Sequence, residues 1–225
     1  MSRVRAMVVA VFLALSAPQV FAADLDPEAM NRIGIRYATG SSVPQDFVAA
    51  LAWYQRAAEH GSVSAMNNIA TLHFHGLGVP QSYEEAVKWL RLAVEKGDAA
   101  AQNRLGAMYE EGLGVQQSAH DAFELFSLAA AQGYGPGMAN LGHAYAGGSG
   151  VKRDEIHAYA LITAAIEIGV PRGQREAAIY ELGALSQRLD ARQVERAQAD
   201  ARALLETRSK ETSVVQADAQ DAYRL

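Results

Sequence analysis

Histidines are the residues in this chain that could support metal or acid–base chemistry, and their spacing does not build a site. A zinc-protease helix needs two histidines four residues apart with a glutamate between them, and the sequence has no such pair. His73 and His75 are two residues apart, so on a helix they point to different faces. The chain has no cysteine, which excludes disulfides and thiolate metal sites. We therefore expect no metal ion and no cofactor.

Two other patterns resemble catalytic motifs but fit a structural role better. The glycine-rich segment Gly147–Gly150 lacks the Gly-Lys-Ser/Thr ending of a phosphate loop. The adjacent carboxylates Glu84-Glu85 and Glu110-Glu111 would diverge on a helix, which favours solvated faces over a paired acid and base. No Gly-x-Ser-x-Gly nucleophile elbow is present. The sequence therefore predicts a binding protein and not an enzyme.

The glycines belong to an internal repeat. Five columns of identical residues recur every 36 positions, in four units and without a gap. The columns are Gly61, Gly97, Gly133, Gly169; Gly40, Gly76, Gly112, Gly148; Val43, Val79, Val115, Val151; Ala50, Ala86, Ala122, Ala158; and Ala57, Ala93, Ala129, Ala165. A fixed period of this length is the sequence signature of a solenoid. We predict four repeats within residues 23–170, at about 27–62, 63–98, 99–134 and 135–170.

Each repeat has the pattern of two helices. In the third repeat, Ala101, Leu105 and Tyr109 fall on one helical face. Gly112 follows at the position where a glycine in the left-handed conformation ends a helix. A second helix then ends at Gly133. The alanine and glycine columns would let the two helices of a hairpin approach closely, which predicts an all-α fold.

The residues of the third repeat that carry a family resemblance are Ala101, Leu105, Gly106, Tyr109, Gly112, Gly114, Val115, Ala122, Ala129, Ala130 and Gly133. They resemble the Sel1-like repeat family, a relative of the tetratricopeptide repeat. The resemblance covers about residues 26–170 and implies a right-handed α-solenoid superhelix that binds other proteins. The chain departs from the pattern at Ser42, Ala70 and His73, where the family has two glycines and a tyrosine.

The N-terminal segment is typical of an export signal. Arg3 and Arg5 precede an apolar run from Met7 to Ser16, and Val20 and Ala22 are the small residues that a signal peptidase requires. The apolar run is shorter than the about 20 residues of a membrane-spanning helix. We predict a signal peptide at residues 1–22 and a periplasmic or secreted bacterial protein without stable membrane insertion after cleavage. An uncleaved anchor is the alternative.

The repeat register ends soon after Gly169. Apolar residues then follow a helical period in two short segments, which predicts a C-terminal capping hairpin over residues 171–208. A coiled-coil arm is the competing interpretation, although the apolar pattern is short for one. Residues 209–225 lose periodicity and predict a flexible tail.

A partner surface can be placed by the repeat register. In related superhelices the first helix of each hairpin lines the concave groove. The candidate groove residues are Asn31, Asn67, Thr71, Phe74, His75, Asn103 and Glu111. An asparagine column could hydrogen-bond the backbone of an extended peptide, and Phe74 is the candidate apolar anchor. The alternative is that these residues form a polar, solvent-facing side of each helix.

The resulting hypothesis is a periplasmic adaptor or regulator that binds an envelope protein. One variant is an immunity protein that neutralises a secreted toxin. The net charge of −5 and the lack of a basic stripe argue against a nucleic-acid partner. The alternatives are a module that binds cell-wall fragments and a hydrolase such as a β-lactamase-like enzyme. The Lys-Thr-Gly signature of β-lactamases is absent.

Overall fold

A computed structural model describes residues 26–222 of the chain, with side chains described for residues 26–207. Within that range the chain forms ten helices and no strand. In chain order these are α1 (Pro27–Thr39), α2 (Phe47–Glu59), α3 (Val63–His75), α4 (Tyr83–Glu95), α5 (Ala99–Glu111), α6 (Ala119–Ala131), α7 (Gly135–Gly147), α8 (Glu155–Ile168), α9 (Arg172–Arg188) and α10 (Ala191–Ala222). The predicted signal peptide, residues 1–22, lies outside the described residues.

Local capping signals set the helix ends of the repeats. The side chain of Asp98 accepts a hydrogen bond from the backbone N–H of Ala101 at the start of α5, at 2.7 Å. Gly112 ends the same helix with φ +71, and its N–H donates to the carbonyl of Met108. The first helices of the other three repeats also end at a glycine in the left-handed conformation. These are the helix ends that the glycine column predicts.

A glycine in the first helix of three hairpins meets a large side chain of the second helix. An added Cβ at Gly34 would lie 2.5 Å from the Tyr54 ring, and one at Gly106 would lie 2.7 Å from the Phe126 ring. Tyr54 and Phe126 are buried, so neither ring can move into solvent. The missing side chain of these glycines therefore makes room for a large residue of the second helix.

A second glycine, in the loops of the second and fourth hairpins, meets the second helix of the preceding repeat. An added Cβ at Gly150 would lie 2.1 Å from the carbonyl oxygen of Ala119 at the start of α6. At Gly78 it would lie 2.7 Å from the Cβ of Phe47 at the start of α2. Ser42 is the equivalent residue of the first hairpin and has φ +67. The first hairpin has no preceding repeat in the described structure, so serine is tolerated there without a clash.

The chain divides into two compact units, one ending at Trp89 and the other beginning at Leu90. In the first unit α1 packs on α2, and both contact α3. In the second unit two apolar clusters form the core. One centres on Phe126, Met138 and Leu161, and the other on Ile162 and Leu185.

Helix α8 is buried on more sides than the other second helices because α10 covers it. Ala160 and Ala164 are fully buried, whereas Leu128, which is the equivalent of Ala164 in α6, is 51% exposed. The sequence indicated this cover, because Thr163 is the one polar residue of α8 between Ala158 and Ile166 apart from the Tyr159 hydroxyl, and a helix that is apolar on nearly all sides is buried on most of them.

Helix α10 runs in the same direction as α8. Its residue Ala197 packs in the cluster that contains Ala158, near the start of α8, and Leu205 packs in the cluster that contains Ala165, near the end. Helix α9 buries only Ala178 and Leu185 and contacts α7 and α8. The predicted capping segment therefore consists of a lightly buried helix and a covering helix.

The backbone beyond Ser209 differs from the expected flexible tail. Helix α10 continues to Ala222, although residues 209–225 show no apolar periodicity. This segment contains neither glycine nor proline and has four alanine or glutamine residues at 216–220, which are good helix formers. Nothing in its sequence stops a helix that begins at Ala191.

Candidate functional site

The asparagine column lies between the helices and not on an open surface. Asn31, Asn67 and Asn103 are 3%, 9% and 8% exposed. The side-chain oxygen of Asn31 accepts a hydrogen bond from the amide of Asn68 at 2.9 Å, and that of Asn103 accepts one from Asn140 at 2.8 Å. Each bond joins the first helices of two successive repeats within one unit. This burial differs from the groove-facing placement expected from the sequence.

The same network extends to the start of α3 in the first unit. Glu28 accepts a hydrogen bond from Asn31 at 3.4 Å and another from the hydroxyl of Ser62 at 2.6 Å. Ser62 is the N-cap residue of α3 and accepts from the N–H of Ala65. A buried polar group is costly unless it is hydrogen-bonded, so these residues hold the two first helices in register. Their role in binding a partner stays a prediction.

The predicted anchor Phe74 belongs to an aromatic cluster at the end of α3. Its ring meets the rings of His75 and Tyr83 edge-on, with centroid distances of 4.9 and 5.2 Å. Phe74 is half-buried and His75 is exposed. The nearby Thr71 is half-buried, and its hydroxyl donates to the carbonyl of Asn67 at 2.9 Å. We call Phe74, His75 and Tyr83 the aromatic ledge.

A glutamine column closes the hairpin loops, and sequence reasoning missed it. The Nε2 of Gln45, Gln81 and Gln117 donates at 2.8 Å to the carbonyls of Ala38, Phe74 and Glu110, respectively. The glutamines recur at the 36-residue period, so the signal was present in the sequence. Gln81 also donates to the hydroxyl of Tyr83 at 3.2 Å, which fixes one member of the aromatic ledge.

In the second unit the predicted residue Glu111 is exposed in the last turn of α5. An open cavity of about 510 Å³ lies beside the loop that follows this helix, lined by Arg91, Tyr109 and Asp121 among others. The Arg91 guanidinium donates to the Tyr109 hydroxyl at 3.1 Å. The cavity thus carries a cation and a carboxylate on a mainly polar lining.

A histidine–carboxylate pair joins the fourth repeat to the cap. The Nδ1 of His143 lies 3.2 Å from both carboxylate oxygens of Glu181. The hydrogen bond to Glu181 raises the pKa of His143, burial opposes the rise, and the charges of Glu181 and Glu110 add to it. A second pair, Arg188 and Glu155 at 2.8 Å, also holds α9 against the fourth repeat.

Among the described side chains of residues 26–207, no group of three or more histidines, aspartates or glutamates is arranged to hold a metal ion. None of the helices within the described range 26–222 is long and apolar enough to cross a membrane. The histidines with defined contacts pair with carboxylates or aromatic rings. His157, for example, meets the Tyr145 ring edge-on at 4.6 Å.

Comparison with protein families identifies the repeat. The model of the family described as Sel1 repeat matches residues 27–62, 63–98, 99–134 and 135–170. The chain belongs to the Sel1 repeat family. This confirms the resemblance and, with the all-helical structure, the α-solenoid fold class. Sel1 repeats generally mediate protein–protein interactions and are typically non-catalytic scaffolds.

Solved structures similar to this Sel1 repeat chain include two of bacterial origin. One is a protective antigen of uropathogenic Escherichia coli strains with an SLR fold, at 27% identity and a TM-score of 0.73, and the match covers 82% of this chain and 39% of that one. The other is a Sel1 repeat protein from Oxalobacter formigenes, at 29% identity and a TM-score of 0.67, with 83% and 73% covered. This chain thus spans about two fifths of the Escherichia coli structure. No curated protein matches.

Proposed function

We propose that this Sel1 repeat protein is an exported adaptor or regulator that binds an envelope protein through the first helices of its repeats. The aromatic ledge on the first unit is the observation that carries the proposal. Phe74 keeps part of its ring exposed while Tyr83 and His75 hold it from two sides. Aromatic side chains held in this way supply contact area at a low cost in side-chain entropy.

The repeat comparison supports a binding role for Phe74 over a structural one. The equivalent residues of the other repeats are Ala38, Glu110 and Ala146. Three of four repeats therefore form their hairpins without an aromatic residue at this position. A residue that the hairpin does not need, and that exposes an aromatic surface, is a candidate contact for a partner.

In this proposal the buried asparagines hold the first helices of successive repeats together and do not themselves contact the partner. Asn31 and Asn103 already bond Asn68 and Asn140. The exposed members of the predicted set, His75 and Glu111, are accessible without any rearrangement. In this proposal Phe74 and His75 contact the partner on the first unit, and Glu111 contributes on the second.

A photo-crosslinking amino acid placed at His75 in the living cell tests the proposal. We expect an adduct with one envelope protein, and no such adduct when the same amino acid replaces Tyr180, which is 82% exposed on the cap. Phe74→Ala should weaken binding of the captured partner by about tenfold or more, as for a buried aromatic contact. Tyr180→Ala is the matched control and should leave affinity unchanged.

Equal adducts from positions 75 and 180, or an affinity that Phe74→Ala leaves unchanged, would contradict the proposal. The identity of the captured protein separates the two variants of the hypothesis. A signalling or assembly protein of the envelope supports an adaptor, whereas a secreted toxin supports an immunity protein.

The export step has its own test. Cell fractionation should find the full chain in the periplasm or the medium, and mass spectrometry of the mature protein should find Ala23 as its first residue. A chain without residues 2–22 should stay in the cytoplasm. An intact N-terminus on the exported protein would instead indicate an uncleaved anchor.

A further inference from the structure

A second, smaller cavity lies in the second unit, where α10 passes the end of α6. Its volume is about 350 Å³, at the small end of the range of about 300–1,000 Å³ for ligand pockets. Ala130 and Met138, both buried, and Leu204, half-buried, provide apolar walls. Asp200 and Thr207 of α10 and His157 of α8 contribute polar groups.

The cavity exists because small residues end α6 opposite the covering helix. Ala130, Ala131 and Gly133 face the cavity from α6 and the turn that follows it, and none has a side chain that could fill the space. Across the cavity, Leu204 turns toward the core cluster of Phe126 and Met138. A concave apolar site is therefore left open to solvent beside α10.

Asp200 is the carboxylate among the described residues that line this cavity. His157 also lines it, and the described lining includes no lysine or arginine. The contact of Asp200 with Arg196 is long, at 3.9 Å, and both side chains are well exposed, so this ion pair is weak. A carboxylate can accept several hydrogen bonds, and the oxygens of Asp200 keep capacity for a stronger cation.

We propose that this cavity binds a lysine or arginine side chain of a partner protein. The aliphatic stem would pack on Met138 and Leu204, and the cationic head group would pair with Asp200. Lysine and arginine combine an apolar stem with a charged end in this way. The net charge of −5 on the chain favours the same kind of partner. This site lies outside the aromatic ledge and does not depend on it.

A titration with small probes, followed by NMR of the methionine methyl groups, tests this proposal. The probes are N-acetyl-arginine methylamide and its uncharged analogue, N-acetyl-norleucine methylamide. We expect the arginine probe to shift the Met138 methyl signal in a saturable way and the norleucine probe to bind more weakly. Met108, buried in α5 and absent from the cavity lining, is the internal control and should not shift.

Two variants separate the contribution of the ion pair with Asp200 from that of apolar packing in the cavity. Asp200→Asn should weaken the arginine probe by about threefold to fivefold, the range of an exposed ion pair, and leave the norleucine probe unchanged. Ala131→Leu adds a side chain at the cavity and should weaken both probes.

Equal binding of the two probes, or an arginine affinity that Asp200→Asn does not change, would overturn the proposal and indicate a purely apolar pocket. A Met138 shift that follows protein concentration without any probe would overturn it in favour of a second copy of the chain.

Discussion

Glycine at position 106 shows how a single residue sets the spacing of a hairpin. Helix propensity alone favours alanine there by about 1 kcal/mol. The Phe126 ring occupies the place where the methyl group would lie, and that ring is 1% exposed. Packing therefore outweighs propensity at this position.

Gly106→Ala should lower the free energy of unfolding by up to about 2 kcal/mol, because overpacking a core costs about 1–3 kcal/mol and the gain in helix propensity offsets about 1 kcal/mol of it. Urea denaturation measures the change. The control is Gly183→Ala in α9, where nothing lies within 4 Å of the added Cβ, and this variant should be neutral or slightly stabilised. A destabilisation of the same size in both variants would mean that the Phe126 contact is not the cause.

The pair of His143 and Glu181 predicts that the stability contributed by the contact between α9 and the fourth repeat depends on pH. Because the pKa of His143 is raised in the folded protein, the pair stabilises the folded state fully at a pH below the ordinary pKa of histidine. This stabilisation is lost as the pH rises through the raised pKa. The His143 side chain is 65% exposed, so we expect only about 0.2–1 kcal/mol.

Glu181→Gln should therefore reduce stability at about pH 5.5 and have little effect at about pH 8.5, where histidine is neutral. NMR titration should show a lower pKa for His143 in this variant than in the wild type. Glu176→Gln removes a charge from the same helix, away from His143, and serves as the control. A His143 pKa that Glu181→Gln does not lower would refute the assignment.

At the scale of whole helices, the main specialisation is the cover of α8 by α10. The third repeat has Leu128 where the fourth has Ala164, and only the alanine is buried, with Leu204 and Leu205 packed against its cluster. A small residue at this position lets α10 approach α8 closely. The amino acid at one position of the repeat thus separates an internal hairpin from a capped one.

Ala164→Leu should push α10 away from α8 and lower the free energy of unfolding by about 1–3 kcal/mol. Hydrogen exchange should also become faster in α10. The reciprocal variant Leu128→Ala changes a half-exposed surface residue and should cost less than about 0.5 kcal/mol. If Ala164→Leu leaves both stability and exchange unchanged, α10 does not depend on this contact.

For the whole molecule, the two parts of α10 should contribute unequally. A chain that ends at residue 207 keeps the buried Ala197 and Ala201 and the packed Leu204 and Leu205. Its melting temperature should match that of the full chain, since the removed segment shows no apolar periodicity. A chain that ends at residue 189 should melt lower and aggregate, because it exposes the apolar outer face of α8. Calorimetry and light scattering distinguish the two, and equal melting of both would contradict this role of α10.

The sequence by itself determined the repeat, its helices and its loops. Gly112 ends a helix and Asp98 begins one through contacts within a few residues. The glycine end recurs in all four repeats, and the side-chain cap in the first three. The glycine and alanine columns also predict that the two helices of each hairpin lie close together. These features depend on residue type and period alone, so they can be seen in the chain before it folds.

Only the tertiary structure decided which polar residues remain available. Asn31 and Asn103 look solvent-facing in the helical period, yet each bonds an asparagine 37 residues further along the chain. The cover of α8 likewise comes from residues more than 30 positions away, in α10. Such contacts depend on how successive hairpins pack, because the burial of a polar side chain is set by its distant neighbours and not by its own helix.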